Sequence, residues 1–292
     1  PTKRRSRITR EESKELAIPT TSVSSSASRP LLERMEVEYK AWCERRLVQE
    51  REYVARYNLH SFNHSTEKLY IGHFTSSYEL FRIAIKEAYA LIQNVFHDFK
   101  KLPHRHQVTL FKNFVNKFSM IECMYHTKKY FKNSNTMLMA SLITCMEKNN
   151  LDNWIVDTNQ FKNTDALRTT CKGFMDEYDD LLGKMIQMDN ITDREFYALA
   201  ALNYCDIDTS RRVPEEIIKN AQSTRAKVLD ELQEYYRNEL QLHDFSHRLG
   251  TLMMMGQGAN EAGRVMNKEM QMYATMFDIY SDDSFLREFF AE

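Results

Sequence analysis

Residues 99–112 read FKKLPHRHQVTLFK, and this stretch joins two apolar segments of the chain. Upstream, residues 75–101 carry apolar side chains at three- and four-residue spacing, which is the period of a helix. Further apolar residues widen that surface, so this helix must be covered on more than one side. Pro103 ends the segment, and a second apolar helix is predicted over residues 107–131. The stretch therefore predicts a corner between two buried helices of a layered protein.

Helical patterns continue outward in both directions from this corner. Residues 31–57 are rich in helix-forming residues, and only seven glycines and five prolines in 292 residues favour long helices. Residues 242–280 predict a methionine-rich helix or helix pair, with an interruption near Gly256 and Gly258. Strand character is confined to residues 137–156, which predict at most a short β-hairpin. These patterns predict an all-α fold with about ten helices.

Composition divides the chain into two parts. Residues 1–28 hold a basic cluster at 3–10 and a serine- and threonine-rich run at 20–28, and such a segment cannot bury enough apolar surface to fold. We predict a flexible hinge over residues 1–28 and one folded domain over residues 29–292. The KRRSR run has two interpretations that charge alone leaves open, a nuclear-localisation or DNA-backbone patch and a solvated tail.

Charge, hydropathy and cysteine spacing exclude several classes of protein. The net charge is −1, which gives the whole chain no bias towards nucleic acid or a membrane surface. No apolar run approaches 18 residues, so no membrane span is predicted. The five cysteines are far apart and form no CxxC pair, which argues against both a disulfide framework and a structural zinc site. They are expected to be reduced thiols.

Two motifs suggest chemistry, and each is better explained without it. His243 and His247 have the spacing of a zinc-binding helix, but aspartate replaces the usual general-base glutamate and no third ligand is identifiable. Gly256 and Gly258 resemble the start of a dinucleotide-binding loop, yet Glu261 stands where the third glycine is required. No serine or cysteine lies in a nucleophile elbow. We therefore predict that this chain is not an enzyme and holds no metal or cofactor.

Residues 99–112 resemble the signature of nuclear hormone receptors, F-x-x-L-x-x-x-D-Q-x-x-L-L-K, which spans the third to fifth helices of the ligand-binding domain. Phe111 replaces one leucine conservatively, and His106 stands where the family has aspartate. The residues that follow resemble versions from the expanded nematode branch of the family. The matching positions are Phe99, Leu102, Gln107, Leu110 and Lys112.

Two further segments resemble the same family, in the order that the family shows. Residues 285–290, FLREFF, fit the activation-helix pattern ΦΦxEΦΦ, in which Φ is apolar, at the end of the chain. Residues 248–254, RLGTLMM, are similar to the R-x-x-x-L-L-L motif of the tenth helix. The resemblance covers residues 30–292, which is nearly the whole predicted domain.

The resemblance implies a three-layer antiparallel helical sandwich of about ten to twelve helices that encloses an apolar pocket for a small lipophilic ligand. The activation helix, residues 284–291, would complete a groove for the LxxLL helix of a coactivator or corepressor. Glu288 would hold the amino end of that helix, where the helix dipole favours an anion. Asn94 replaces the lysine that the family uses at the other end, and Lys112 keeps the family's second lysine.

The candidate site residues fall into three groups. The predicted pocket lining is Phe81, Ile85, Tyr89, Met120, Met124, Cys171, Met175, Met270, Tyr273 and Phe277. The predicted coregulator-binding residues are Asn94, Lys112, Phe285, Leu286, Glu288 and Phe289. The predicted dimerisation residues are Arg248, Leu249, Leu252 and Met253. Methionine side chains suit an adaptable pocket lining, although stripes of this kind are also typical of ordinary core.

The resemblance also implies the setting in which the domain works. We expect a ligand-regulated or orphan transcription factor in the nucleus, acting as a homodimer or as a heterodimer with another nuclear receptor. Two four-cysteine zinc fingers that bind DNA are expected upstream of Pro1. The alternative is a helical scaffold that binds a partner protein and has no ligand and no activation function.

Overall fold

A computed structural model describes residues 29–64, 67–132, 136–161, 163–185, 190–207, 213–277, 279 and 289–290. The predicted hinge over residues 1–28 lies outside the described residues. The α-helices are α1 (Leu31–Arg56), α2 (Phe74–Val95), α3 (His104–Tyr130), α4 (Leu151–Trp154), α5 (Thr164–Met185), α6 (Asp193–Cys205), α7 (Glu215–Asn238) and α8 (Ser246–Met276). Two 3-10 segments follow α2 and α4, at Phe99–Lys101 and Val156–Gln160. The described part thus has fewer α-helices than the ten to twelve predicted.

The helices form three layers, and the predicted all-α sandwich is confirmed. α1 packs along α2 on one side, α5 packs along α8 on the other, and α3 and α6 lie between them. The buried residues of α6 cover all of its faces, as expected for a helix in a middle layer. A reciprocal capping box between Thr192 and Glu195 fixes the start of α6. None of the described helices has the length and apolar character to span a bilayer.

α8 runs without interruption, so the predicted break near Gly256 and Gly258 is wrong. Two glycines of this helix serve close packing instead. A Cβ atom at Gly263 would lie 2.7 Å from Cγ of Lys117 and 3.1 Å from its backbone nitrogen, so α8 approaches the α3 backbone closely. A Cβ atom at Gly256 would lie 3.3 Å from Cδ1 of Leu199 on α6. Packing against the middle layer thus outweighs the helix-breaking tendency of glycine.

A four-stranded sheet is larger than the short hairpin that was predicted. The strands are β1 (Ser61–His64), β2 (Glu67–Ile71), β3 (Met137–Met139) and β4 (Thr144–Glu147). Their order is β1-β2-β4-β3, with a parallel pair β2–β4 between two antiparallel pairs. β1 and β2 were missed because strands of four and five residues give little alternation to detect. Residues 154–156, which were predicted to be extended, are not: Trp154 ends α4, Ile155 lies in a turn where its carbonyl accepts the Thr158 hydroxyl, and Val156 begins a 3-10 segment.

A buried ionic cluster joins α1 to α3. Nη1 of Arg46 donates to both carboxylate oxygens of Glu122, at 2.9 and 2.8 Å, and Nη2 lies 2.9 Å from Oε1 of Glu50. The hydroxyl of Tyr39 donates to Glu122, and the guanidinium lies 4.2 Å from the ring centroid of Trp42. Burial opposes the charge of Arg46, but Glu122 and Glu50 keep its pKa above the usual value. The cluster therefore holds its charge and ties the first layer to the middle one.

Candidate functional site: an internal cavity and the docked carboxyl terminus

A cavity of about 180 Å³ lies between α2, α3, α5 and α8, beside the β3–β4 hairpin. Its walls are mainly apolar and include the aromatic rings of Phe74 and Trp154. Roughly 150 Å³ accommodates one benzene ring, whereas pockets for drug-sized ligands measure roughly 300 to 1,000 Å³. The space therefore suits a compact molecule.

Six of the predicted pocket residues line this cavity, and four do not. The six are Phe81, Met120, Cys171, Met175, Met270 and Tyr273. Ile85 is fully buried in the core one turn beyond Phe81, and the hydroxyl of Tyr89 donates to Gln107. Met124 lies near Leu199 and Met255, between α3, α6 and α8. Phe277 is buried with its ring centroid 6.4 Å from that of Tyr273, behind the cavity wall.

A polar cluster in the cavity wall is built from α5 and α8. The hydroxyl of Tyr178 donates to Oε2 of Glu269 at 2.7 Å, and the hydroxyl of Tyr273 donates to Oε1. Sγ of Cys171 lies 3.2 Å from the Tyr273 hydroxyl. Glu269 and Tyr273 are four residues apart on α8, so both side chains point to the same face. All four residues line the cavity.

Burial shifts the titration of every group in this cluster. It raises the pKa of Glu269 to about 7, against an opposing effect of the two tyrosine hydrogen bonds. Burial, reinforced by the Glu269 charge, raises the pKa of Tyr178 and of Tyr273 well above the usual value. It also raises the pKa of the Cys171 thiol to about 12. At neutral pH the cluster therefore has three protonated hydroxyl or thiol groups around one carboxyl that is half ionised.

Glu269 and Tyr178 were missed from the sequence. Glu269 directly precedes the predicted Met270, and Tyr178 lies three residues after the predicted Met175. A helical projection of residues 266–273 would have placed an acidic side chain on the same face as Tyr273. The sequence therefore shows that the two side chains share a face of the helix. Only the folded structure shows that this face meets the cavity rather than solvent.

The described carboxyl-terminal residues, Phe289 and Phe290, are helical and buried on α2 and α3. The Phe289 ring meets the Phe111 ring edge-on, with centroids 5.6 Å apart, and Nζ of Lys112 lies 5.7 Å from its centroid. The Phe290 ring stacks with Phe81 at 6.3 Å, and Phe81 also lines the cavity. The other predicted residues of this helix, Phe285, Leu286 and Glu288, lie outside the described residues.

The motif at residues 99–112 builds the corner on which these phenylalanines pack. Gln107 donates to the Leu102 carbonyl at 2.9 Å and accepts the Tyr89 hydroxyl, so it ties the end of the 3-10 segment to α3. Phe99 is fully buried, and its ring meets Tyr89 edge-on at 5.6 Å. Phe111 meets the same tyrosine at 5.3 Å. The motif thus fixes the angle between α2 and α3.

Asn94 lies near the end of α2 and is hydrogen-bonded on both sides. Its Nδ2 donates to Oε2 of Glu38 at 2.9 Å, and its Oδ1 accepts from Nζ of Lys100 at 3.4 Å. An ammonium group is therefore present beside Asn94, although it comes from the 3-10 segment that follows α2. Lys100 was missed from the sequence because its distance to Asn94 depends on the turn between them.

The four predicted dimerisation residues lie on the first turns of α8. Arg248 forms a salt bridge through Nε and Nη2 with the buried carboxylate of Glu195, so it holds α8 to α6. Leu252 is fully buried in the core. Leu249 and Met253 are half-buried, and Met254 beside them is 57% exposed. Leu249, Met253 and Met254 therefore present apolar surface to a partner, and Arg248 keeps 28% of its side chain accessible.

The histidine pair lies at the amino end of α8, where His243 and His247 are both exposed. Within the residues that the structure describes, no three His, Cys, Asp or Glu side chains are grouped so that they could hold a metal ion. All five cysteines are free thiols.

The described domain is thus an all-α helical sandwich with an apolar cavity and with carboxyl-terminal phenylalanines packed on the α2–α3 corner. The family model described as the ligand-binding domain of nuclear hormone receptor matches residues 62–276, which is most of the chain. The chain therefore belongs to the nuclear hormone receptors, a family of receptors that regulate transcription.

Curated relatives agree with this assignment. The chain is 23% identical over 185 residues to nuclear hormone receptor family member nhr-28 of Caenorhabditis briggsae. It is 24% identical over 187 residues to the protein of the same name from Caenorhabditis elegans. Each match covers 63% of this chain and 42% of the relative, so the chain spans less than half the length of these relatives.

Proposed function

We propose that this domain regulates transcription in the nucleus by binding a small, mainly apolar ligand in the cavity and recruiting an LxxLL coregulator beside its docked carboxyl terminus. The observation that carries the proposal is the burial of Phe289 and Phe290 against the α2–α3 corner. An amphipathic partner helix requires an apolar groove, and these two phenylalanines, packed across two helices, would hold the last helix in place as one side of it.

Phe81 links the two parts of this proposal. One side of its ring lines the cavity and the ring stacks on Phe290, so a ligand that touches Phe81 changes the surface on which Phe290 rests. A ligand can favour the docked terminus only by the difference between its affinities for the docked and undocked states. Contact with Phe81 provides a direct source for that difference.

Lysine side chains beside the corner supply charge for a partner helix. Lys112 lies next to Phe289, and Lys100 brings its ammonium to Asn94, the position where the family has lysine. A cation near the carboxyl end of a helix contributes roughly 0.3 to 1 kcal/mol at an exposed site. We propose that Lys100 supplies the positive charge that is missing because asparagine stands at position 94, where the family has lysine.

Fluorescence polarisation with a labelled LxxLL peptide tests the recruitment surface. Phe289→Ala removes the ring that packs on Phe111, and we expect at least a tenfold loss of peptide affinity. Replacing Lys100 and Lys112 together by alanine should weaken binding about three- to thirtyfold, from the summed charge contributions of the two lysines. The matched control is Lys219→Ala, because Lys219 is an exposed lysine on α7, distant in sequence from this corner. Unchanged affinity of Phe289→Ala would refute the proposal.

Removal of residues 282–292 separates this function from that of a ligand-free scaffold. A receptor that uses its carboxyl terminus should lose activation of a reporter gene, whereas a scaffold should keep both its partner and its effect. Circular dichroism of the truncated domain would show whether the helices remain folded.

A further inference from the structure

The Glu269 cluster presents hydrogen-bond acceptors to the cavity and has used its own donors. Tyr178 and Tyr273 each have one O–H, and both O–H groups point at Glu269. Because Tyr273 donates to Glu269, the Cys171 thiol is the donor in its contact with the Tyr273 oxygen. What remains free is a set of lone pairs on the carboxylate and on the two phenol oxygens. A group that satisfies them must bring its own protons.

The carboxylate also lacks a cationic partner in the part of the chain that the structure describes. No lysine, arginine or histidine side chain lines the cavity or forms an ion pair with Glu269 there. The remaining titratable groups of the wall are phenols and thiols, which are neutral when protonated. A buried carboxylate without a counter-charge is costly, and a bound cation would remove that cost.

We propose that the cavity ligand is a small, largely apolar amine whose ammonium group binds between Glu269, Tyr178 and Tyr273. This inference rests on the proposed ligand-binding function and specifies the chemical class of the ligand. The carboxylate would neutralise the ammonium charge, and the phenol oxygens would accept its remaining N–H groups. The apolar part would lie against Phe74, Phe81 and Trp154, whose ring faces also favour a nearby cation. A cavity of about 180 Å³ is slightly larger than one benzene ring requires, so it suits a molecule with one ring and a short polar arm.

Four probes of nearly equal size and different chemistry test this inference. Phenethylamine, 2-phenylethanol, propylbenzene and phenylacetate share one phenyl ring and differ in the polar end. Binding to the whole 292-residue chain can be followed by calorimetry or by the fluorescence of Trp154 in the cavity wall. We expect phenethylamine to bind at least tenfold more tightly than propylbenzene, with the alcohol between them and phenylacetate the weakest.

Glu269→Gln should abolish the preference for the amine and leave the affinity for propylbenzene within about twofold. Glu261→Gln is the matched control, because Glu261 lies on the same helix and does not line the cavity. Between pH 6 and pH 8 the affinity of the wild-type chain for phenethylamine should rise about tenfold, because Glu269 ionises over this range while the amine keeps its proton. The groups that face Glu269, Tyr178 and Tyr273 with Cys171 behind them, stay protonated over the same range.

The possible results separate this inference from the function on which it rests. If propylbenzene binds as well as phenethylamine, or if Glu269→Gln keeps the amine preference, the amine assignment is wrong and an apolar ligand site remains. An alcohol that binds as tightly as the amine would overturn the role of charge. If none of the four probes binds, the cavity is not a site for small ligands and the ligand-binding part of the proposed function fails as well.

Discussion

Two interior glutamate clusters of this domain can be compared, and they differ in whether a cation is included. In the α1–α3 cluster, Arg46 stands between Glu50 and Glu122 and donates to both. In the α5–α8 cluster, Glu269 has only tyrosine hydroxyls as partners among the described residues. The first cluster contains its own cation and joins two helices, whereas the carboxyl of Glu269 lines a cavity and has no cation beside it among the described residues. A carboxylate paired within the fold therefore serves stability, whereas one without a cation can accept a charged ligand.

The largest loss of stability is expected when the cation is removed from the α1–α3 cluster. Arg46→Met keeps much of the side-chain volume but leaves Glu50 and Glu122 buried without their cation. Breaking a buried ion pair in this way costs about 3 to 5 kcal/mol, so the free energy of unfolding should fall by that amount in a urea titration.

Arg45→Met is the matched control for this change. Arg45 is the neighbouring residue, and its salt bridge with Glu87 is exposed, with 42% of the arginine side chain accessible. Such a pair contributes about 0 to 1 kcal/mol. Equal losses for Arg45→Met and Arg46→Met would contradict the structural role of the buried cluster.

For the Glu269 cluster we expect substitution to raise the free energy of unfolding rather than to lower it. Glu269 has a pKa of about 7 in the folded chain and an ordinary value of 4.5, so the folded chain holds this proton more tightly than the unfolded one. Stability is therefore lost as the pH rises from 4.5 to 7, and a shift of this size corresponds to roughly 3 kcal/mol at most. Glutamine resembles the protonated carboxyl in charge and shape. Glu269→Gln should leave the stability nearly unchanged at pH 5 and raise it by up to about 3 kcal/mol at pH 8.

Urea unfolding of the empty domain at pH 5 and pH 8 measures this difference, and Glu261→Gln again controls for the loss of a carboxylate from α8. A Glu269→Gln domain that is less stable than wild type at pH 8 would mean that the carboxylate already has a compensating charge. In that case the distinction between the two clusters would disappear.

The sequence anticipated the corner and the docked terminus better than the chemistry of the cavity. Periodicity and the 99–112 motif depend on residues that are close in the chain, and Gln107 and Phe99 indeed fix the corner. The last helix was predicted to dock across the third to fifth helices, and Phe289 packs on Phe111 of α3, while its role in binding a coregulator stays a prediction. By contrast, Glu269 and Tyr178 meet across two helices that are about 90 residues apart in sequence, and no local pattern reports such a meeting. The parallel pairing of β2 with β4 was missed for the same reason.

The smallest effect is expected from removing one tyrosine hydroxyl beside a carboxyl, either where a cation is present or where it is absent. Tyr178→Phe removes a hydrogen bond that lowers the pKa of Glu269, so the carboxylate becomes harder to ionise. We expect a loss of about 1 to 2 kcal/mol at pH 8 and a smaller loss at pH 5, where the carboxyl is protonated.

Tyr236→Phe is the matching change at a carboxylate that has a cation. Its hydroxyl donates to Oε1 of Glu195 at 2.9 Å, and although burial opposes ionisation, Arg248 and other hydrogen bonds keep the pKa of Glu195 below its usual value. Glu195 therefore stays ionised at both pH values, and the loss on Tyr236→Phe should be the same at pH 5 and pH 8. A pH dependence for Tyr236→Phe as large as that for Tyr178→Phe would show that the pH effect comes from elsewhere in the domain. A pH dependence confined to Tyr178→Phe would assign it to Glu269, which lacks a counter-charge among the described residues.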